Sequence, residues 1–244
     1  MRVLAIIHHA VAGAGVLPDV VATRGHELEL WTPSEQEIPR PLEDYGAVLA
    51  FGGGMQPDED HLHPWMLTAL ETLRACLAGG IPTLGICLGG QLLARAAGGR
   101  VGPARQPETG WSTVELTDDA VGDRLFGGLP PRLEVYQWHS YEFGLPPGAV
   151  LLARSEVSLQ CFRIGDSAWG LQWHPEVLGD SIMYWAEHHR PAADGVPIEI
   201  DLEALRGEVA TRVQRTNDDG RRLFRRFLTV AEERAATPPT GPGS

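Results

Sequence analysis

The sequence predicts an α/β protein: a doubly wound, mostly parallel sheet flanked by helices, with a small antiparallel sheet and C-terminal helices added. Three observations carry this. Apolar runs of strand length alternate with helix-period segments through the first hundred residues. The early strands are continuously apolar rather than alternating, the pattern of strands buried on both faces. Gly52-Gly53-Gly54 and Cys87 fall at the carboxyl ends of two of these strand runs, where sheets of this kind bind their ligands.

The elements follow in order. Val3 to Ile7 reads as the first buried strand. Val16 to Arg24 reads as a helix closed by Gly25, and Leu28 to Trp31 as a second strand. Ala47 to Phe51 is a third strand, ending in Gly52-Gly53-Gly54. Pro64 to Ala78 has helical apolar spacing and stops at Gly79-Gly80. Ile81 to Ile86 is the next strand, and Gln91 to Ala97 the helix after it. Beyond residue 110 short alternating runs suggest antiparallel strands: Ser112–Leu116, Leu133–Trp138, Val150–Arg154 and Leu159–Ile164. Ala168 to Trp173 is a further strand, followed by His174-Pro175-Glu176. After Pro191 to Gly195 the chain is charged and helical from about Asp201 to Glu233, and the Pro- and Gly-rich end reads as disordered. The division expected is a main domain over 1–190, a helical extension packed on it over 191–236, and a tail over 237–244.

Composition narrows the function classes. With 244 residues, 43% of them hydrophobic, the chain can bury one sizeable core. A net charge of −12, with no clustered basic stretch, argues against nucleic acid or another strongly anionic macromolecule as partner. Three cysteines without a C-x-x-C pair argue against a disulfide framework or a zinc site and fit a reduced, cytoplasmic setting. The N-terminal apolar run is short and reads as a strand rather than a signal peptide, and no run reaches the ~18 apolar residues that would span a bilayer.

The segment Gly85-Ile86-Cys87-Leu88-Gly89-Gly90-Gln91 has the G-x-C-x-G form of a nucleophile elbow, strand leading in and helix leading out. A cysteine on such a turn sits on strained backbone with its sulfur pushed outward. The helix N-terminus beside it favours thiolate over thiol. A thiol nucleophile needs a base, and the base needs a group to orient it. His174 and Glu176 supply that pattern at another strand end. Attack by Cys87 on a carbonyl carbon creates an oxyanion that backbone N–H groups must stabilise. Leu88, next to the nucleophile, and Gly53, in the loop after the third strand, are the natural donors.

With these residues in view, the chain resembles the class I glutamine amidotransferases, which use a Cys-His-Glu triad. The matching pieces are Phe51-Gly52-Gly53-Gly54-Met55, the Cys87 elbow, Trp138-His139-Ser140-Tyr141 and Gln172-Trp173-His174-Pro175-Glu176, in the family's order. Four ordered motifs make a specific signal, where a lone G-x-C-x-G would be weak. The resemblance implies a flavodoxin-like fold and γ-amide hydrolysis of glutamine through a γ-glutamyl thioester, releasing ammonia. It implies Cys87 as nucleophile, His174 as general base and acid, Glu176 as orienter, and the Gly53 and Leu88 amides as oxyanion hole. It further implies Gln91, Gly54, Ser140 and Tyr141 as substrate-binding positions, and neither cofactor nor metal. Two departures stand out. Gly54 replaces a proline common in relatives, and Ser140-Tyr141 replaces the Gly-Asp after the histidine, leaving Glu142 or a backbone carbonyl to meet the substrate's amino group.

No G-x-x-x-x-G-K-[ST] phosphate loop occurs, so either an ammonia acceptor is bound by another chain, such as a separate synthetase subunit, or the enzyme is simply a hydrolase. The layout is most similar to stand-alone members related to the glutaminase part of GMP synthase, and also to γ-glutamyl peptidases. A γ-glutamyl peptidase or hydrolase is therefore the alternative activity, and a catalytically silent regulatory or binding subunit the alternative of a different class.

The remaining candidates have simpler readings. Cys76 and Cys161 lack the elbow context and read as structural. Asp58 to His63 reads as a solvated loop rather than a metal site, because its candidate ligands are consecutive. His8-His9 and His188-His189 are poor metal signals, although His8 falls at a strand end near the pocket. Packing and a direct role are equally open for His139. Trp138, Trp169 and Trp173 read as core or pocket wall. Arg221, Arg222, Arg225 and Arg226 read as the wet face of a helix whose Leu223, Phe224, Phe227 and Leu228 face inward.

Overall fold

The computed structural model describes residues 1–8, 13–188 and 200–236. His9, His189, the Pro191–Gly195 break and the 237–244 tail lie outside the described residues. Nine strands form one sheet: β1 (Arg2–Ile6), β2 (Glu27–Trp31), β3 (Tyr45–Ala50), β4 (Thr83–Ile86), β5 (Val101–Leu116), β6 (Arg132–Phe143), β7 (Val150–Arg154), β8 (Leu159–Ile164) and β9 (Ala168–Leu171). Their order is β2-β1-β3-β4-β9-β8-β7-β5-β6. The pairings from β2 through β9 are parallel, and those from β9 through β6 antiparallel. The antiparallel strands therefore continue the main sheet rather than forming a small separate one.

The helices are α1 (Leu17–Thr23), α2 (Trp65–Gly79), α3 (Leu88–Ala96), α4 (Gly179–His188) and α5 (Leu202–Ala236). Alternate residues of β1 enter different cores, as the two-residue period of a strand requires. Val3, Ala5 and Ile7 pack with Leu17 and Val20 of α1 and with Phe224 and Phe227 of α5. Leu4 and Ile6 pack with Met66 and Leu73 of α2 and with Leu92 and Leu93 of α3. Helices thus cover both faces of the parallel strands, which explains why those strands are apolar throughout.

α5 is a structural wall. Phe224, Phe227 and Leu228 are fully buried, and Phe227 meets the buried Trp169 ring edge-on at 6.3 Å. Its C-terminal end is tied to the N-terminal unit by an Arg24–Glu232 ion pair and by His26 Nε2, 2.7 Å from Glu232 Oε1. A third cluster joins Tyr136 of β6, Val177, Ile182 of α4 and Leu205 of α5, with Trp111, Trp138 and Trp185 against it. Although β6 ends the strand order, its residues 136–141 hydrogen-bond to the β9 and α3 ends, so the sheet curls back on itself.

Candidate active site

β4 and β9 are adjacent and parallel, with Ile86 opposite Leu171. Their carboxyl ends lead directly into Cys87 and into Gln172-Trp173-His174. Cys87 has φ 50° and is the only non-glycine with positive φ among the described residues. Such a conformation costs about 1–3 kcal/mol and persists only where its surroundings enforce it. Here they do: the Cys87 amide donates to Leu171 O at 2.8 Å, and the Cys87 carbonyl accepts from Gln91 at 2.9 Å. The glycines fit the same turn, since a Cβ on Gly89 would stand 2.0 Å from Ala50 O.

His174 is 3% exposed and Glu176 2%. His174 Nδ1 lies 2.8 Å from Glu176 Oε1, while Nε2 is buried without a hydrogen-bond partner. Cys87 and His174 meet beside Gly52: a Cβ there would lie 3.0 Å from His174 Cε1 and 3.7 Å from Cys87 Cβ. Burial alone would lower the His174 pKa, but the Glu176 carboxylate and Cys87 sulfur outweigh it and raise it to about 10. Cys87 is itself buried, at 7% exposure, so its sulfur is less open than the elbow predicts; burial pushes the Cys76 thiol up to about 12 and the Cys161 thiol well above its ordinary value, which disfavours their thiolates.

The Gly52-Gly53-Gly54 loop follows β3, next to β4. A Cβ on Gly53 would stand 2.9 Å from the Leu88 side chain and 3.0 Å from His8 Cβ, so Gly53 and Leu88 are neighbours across the site. First-turn amides of a helix have no intrahelical partner. Gly89 spends its N–H on Phe51 O at 3.1 Å. Gly54 is exposed and faces open space.

β6 closes the other side. The Trp138 carbonyl lies 3.9 Å from Cys87 Sγ. Gln91 is buried, and its Nε2 donates to Tyr141 O at 2.8 Å and to Gln172 Oε1 at 3.3 Å, so this amide ties α3 to β6. His139 Nδ1 also donates to Tyr141 O, at 2.9 Å, and its Nε2 lies 3.3 Å from Glu108 Oε2. Burial opposes ionisation of Glu108, but contacts with His139, Ser158 and Ser155 outweigh it and hold the carboxyl below its ordinary range. Ser140, Tyr141 and Glu142 are half-buried, and burial raises the Glu142 carboxyl.

The structure thus gathers Gly53, Cys87, Leu88, Trp138, Tyr141, His174 and Glu176 at one end of the curled sheet. Two contributors carry no sequence motif of their own. Trp185 of α4 sets its ring 4.9 Å from the His174 ring and 6.1 Å from Trp138. Glu108 anchors His139 from the first half of β5. His8 stacks on Trp65 at 5.9 Å and donates from Nδ1 to Phe51 O at 2.8 Å. In the acidic loop before α2, Asp60 is ion-paired with Arg95 at 2.8 Å.

A strained cysteine at the carboxyl edge of a mixed α/β sheet, facing a buried histidine–carboxylate pair, defines the class: an elbow-type α/β protein with a cysteine-centred site. The model for "Glutamine amidotransferase class-I" matches residues 12–181, and the chain belongs to that family. The fold is likewise that of a solved glutamine amidotransferase from Thermotoga maritima, with a TM-score of 0.82, 30% identity and coverage of 96% of this chain and 98% of that one. A subunit of a "GMP synthase [glutamine-hydrolyzing]" from Ignicoccus hospitalis is 35% identical over 63% of this chain and 77% of its own length. A "Gamma-glutamyl-L-1-hydroxyisopropylamide hydrolase" from a Pseudomonas species is 36% identical over 57% of this chain and 50% of its own length. A "GMP synthase [glutamine-hydrolyzing]" from Aeropyrum pernix is 34% identical over 67% of this chain. The matches span 24%, 31% and 52% of the lengths of three of the GMP synthase relatives. Among the described residues no helix is long and apolar enough to cross a membrane.

Proposed function

We propose that the chain hydrolyses the γ-amide of glutamine, with Cys87 as nucleophile, His174 as proton shuttle and Glu176 as its orienter. The carrying observation is the strained Cys87 beside a His174 whose Nδ1 is fixed by Glu176 and whose Nε2 is uncommitted. Cys87 Sγ attacks the γ-carbonyl carbon, and the oxyanion is met by the Gly53 and Leu88 amides. The carbon–nitrogen bond breaks as His174 protonates the leaving nitrogen, giving ammonia and a γ-glutamyl thioester. His174 then takes a proton from water, the hydroxide attacks the thioester, and glutamate leaves as the Cys87 sulfur is released. The segment 140–142, joined to Gln91 through the Tyr141 carbonyl, and Gly54 beside the oxyanion loop are the places for the substrate's amino-acid end.

The kinship with glutamine-hydrolysing GMP synthase subunits supports glutamine as substrate, with the ammonia passing to a separate synthetase subunit. The kinship with a γ-glutamyl amide hydrolase supports the second reading, in which the same site cleaves γ-glutamyl amines or peptides. Both readings place the same thioester on Cys87 and differ in the leaving amine. In either case the working unit is the 1–190 domain together with α5, in a reducing, cytoplasmic setting.

A substrate panel decides. Glutamine, γ-glutamyl amines and γ-glutamyl peptides are compared by kcat/KM, with free glutamate as product. Preference for glutamine supports the first reading, and preference for a substituted amide the second. Turnover of none of them, together with an unreactive Cys87, would point to a silent binding protein.

A further inference from the structure

The turn carrying His174 and Glu176 is gripped by backbone at two residues, and one grip comes from α5, beyond the region matched by the family model. A Cβ on Gly220 would stand 1.8 Å from Pro175 O, far inside any real contact, so only glycine lets the helix approach this closely. Three residues earlier, Asn217 is 6% exposed and its Nδ2 donates to Val177 O at 3.3 Å and to Val213 O at 2.7 Å. At the next residue a Cβ on Gly15 would stand 1.8 Å from Glu176 O, and the Val16 amide donates to that oxygen at 3.1 Å. The turn therefore has little room to move toward Gly220 or toward Gly15.

Glycine in a helix interior is unfavourable, which makes its place at this contact informative. Gly207, on the same helix, faces open space and shows what an unconstrained helical glycine looks like here. Pro175 fixes its own φ, which removes one of the soft torsions between His174 and Glu176.

We propose that Gly220 and Asn217 are positioning residues for the reaction, holding the His174–Glu176 turn in register with Cys87 through Pro175 and Val177. This rests on the catalytic reading above. A cavity lined by Pro175, Thr216, Gly220 and Leu223 adjoins the contact, so a larger residue at 220 can be met by a local shift that carries the Pro175 turn with it rather than by unfolding.

The test compares Gly220→Ala, Asn217→Ala and Gly207→Ala in the full chain. It measures kcat and KM on the panel, the pH profile of Cys87 alkylation by iodoacetamide, and Tm. Gly220→Ala should lower kcat by ~10²-fold, the scale of an ångström misplacement, with KM little changed and the alkylation profile displaced. Asn217→Ala should do the same to a smaller degree, and Gly207→Ala should match wild type in activity with a raised Tm. If Gly220→Ala does not fold, Asn217→Ala decides. Wild-type kcat and alkylation profile in the folded variants would overturn the proposal. Should wild-type protein itself hydrolyse none of the panel, the functional reading falls, while the alkylation profile still tests positioning.

Discussion

His174 and Glu176, two residues apart on one turn, are joined by a 2.8 Å contact between Nδ1 and Oε1, and both side chains are almost wholly buried. The carboxylate can only accept, so Nδ1 carries the proton and the ring presents Nε2 to Cys87. A buried charge needs such a partner, and Trp185, packed with the α4–α5 cluster, sets its ring against His174.

Glu176→Gln keeps the shape and removes the charge. Burial, which disfavours the imidazolium, is then less opposed, and the His174 pKa falls from about 10. The histidine–thiolate pair shrinks accordingly. Iodoacetamide alkylation of Cys87 at pH 7 should slow, and kcat should drop by about 10²-fold or more. An unchanged alkylation rate would contradict the electrostatic role of Glu176.

His174 also sets an alkaline limb of stability. Its folded pKa, about 10, lies above the ordinary 6.5, so its contribution is complete below about pH 6.5 and is lost as pH rises through about 10. Urea midpoints recorded from pH 6.5 to 10 should decline, and the decline should be shallower in His174→Gln. Equal slopes in the two proteins would remove His174 as the source.

His8 works in the opposite direction. Burial lowers its pKa to about 4, so the folded chain holds it neutral and stability is lost as pH falls from about 6.5 toward 4. His8→Asn keeps a donor near Phe51 O without the titration. Its urea midpoint should vary less over that window than the wild-type midpoint does.

Phe227→Ala tests whether α5 belongs to the core. The ring is fully buried against Trp169, and truncation should cost ~3–5 kcal/mol by urea denaturation. A cost near the ~0.5 kcal/mol typical of a surface change would instead make the helix an appendage.

The parallel half of the sheet and the four site motifs are legible in the sequence because burial on both faces leaves continuous apolar runs and glycines mark the close approaches. The Val150–Arg154 and Leu159–Ile164 strands have the bounds their alternation predicts. β5 is recognisable in the sequence only from Ser112, because Gly102, Pro103 and Pro107 disrupt its alternation and its pairing with β6 slips between Pro103 and Glu108. Glu108 is lost with it. α4 and Trp185 are missed in the sequence although a signal is available: Ile182, Trp185 and Ala186 stand at i, i+3 and i+4 and pack in one cluster. The union of the antiparallel strands with the main sheet depends on long-range pairing that no local pattern encodes. The contact at Gly220 is tertiary too, although a glycine inside a long helical run is its available sign.

The proposed chemistry turns on a γ-glutamyl thioester at Cys87. It is read directly by mass spectrometry of protein acid-quenched during turnover of the preferred substrate, with the Cys87 peptide isolated. A γ-glutamyl adduct is expected on that peptide and is expected to be absent in Cys87→Ala, which should also lack turnover. Continued turnover in Cys87→Ala, or an adduct only on another residue, would contradict the mechanism.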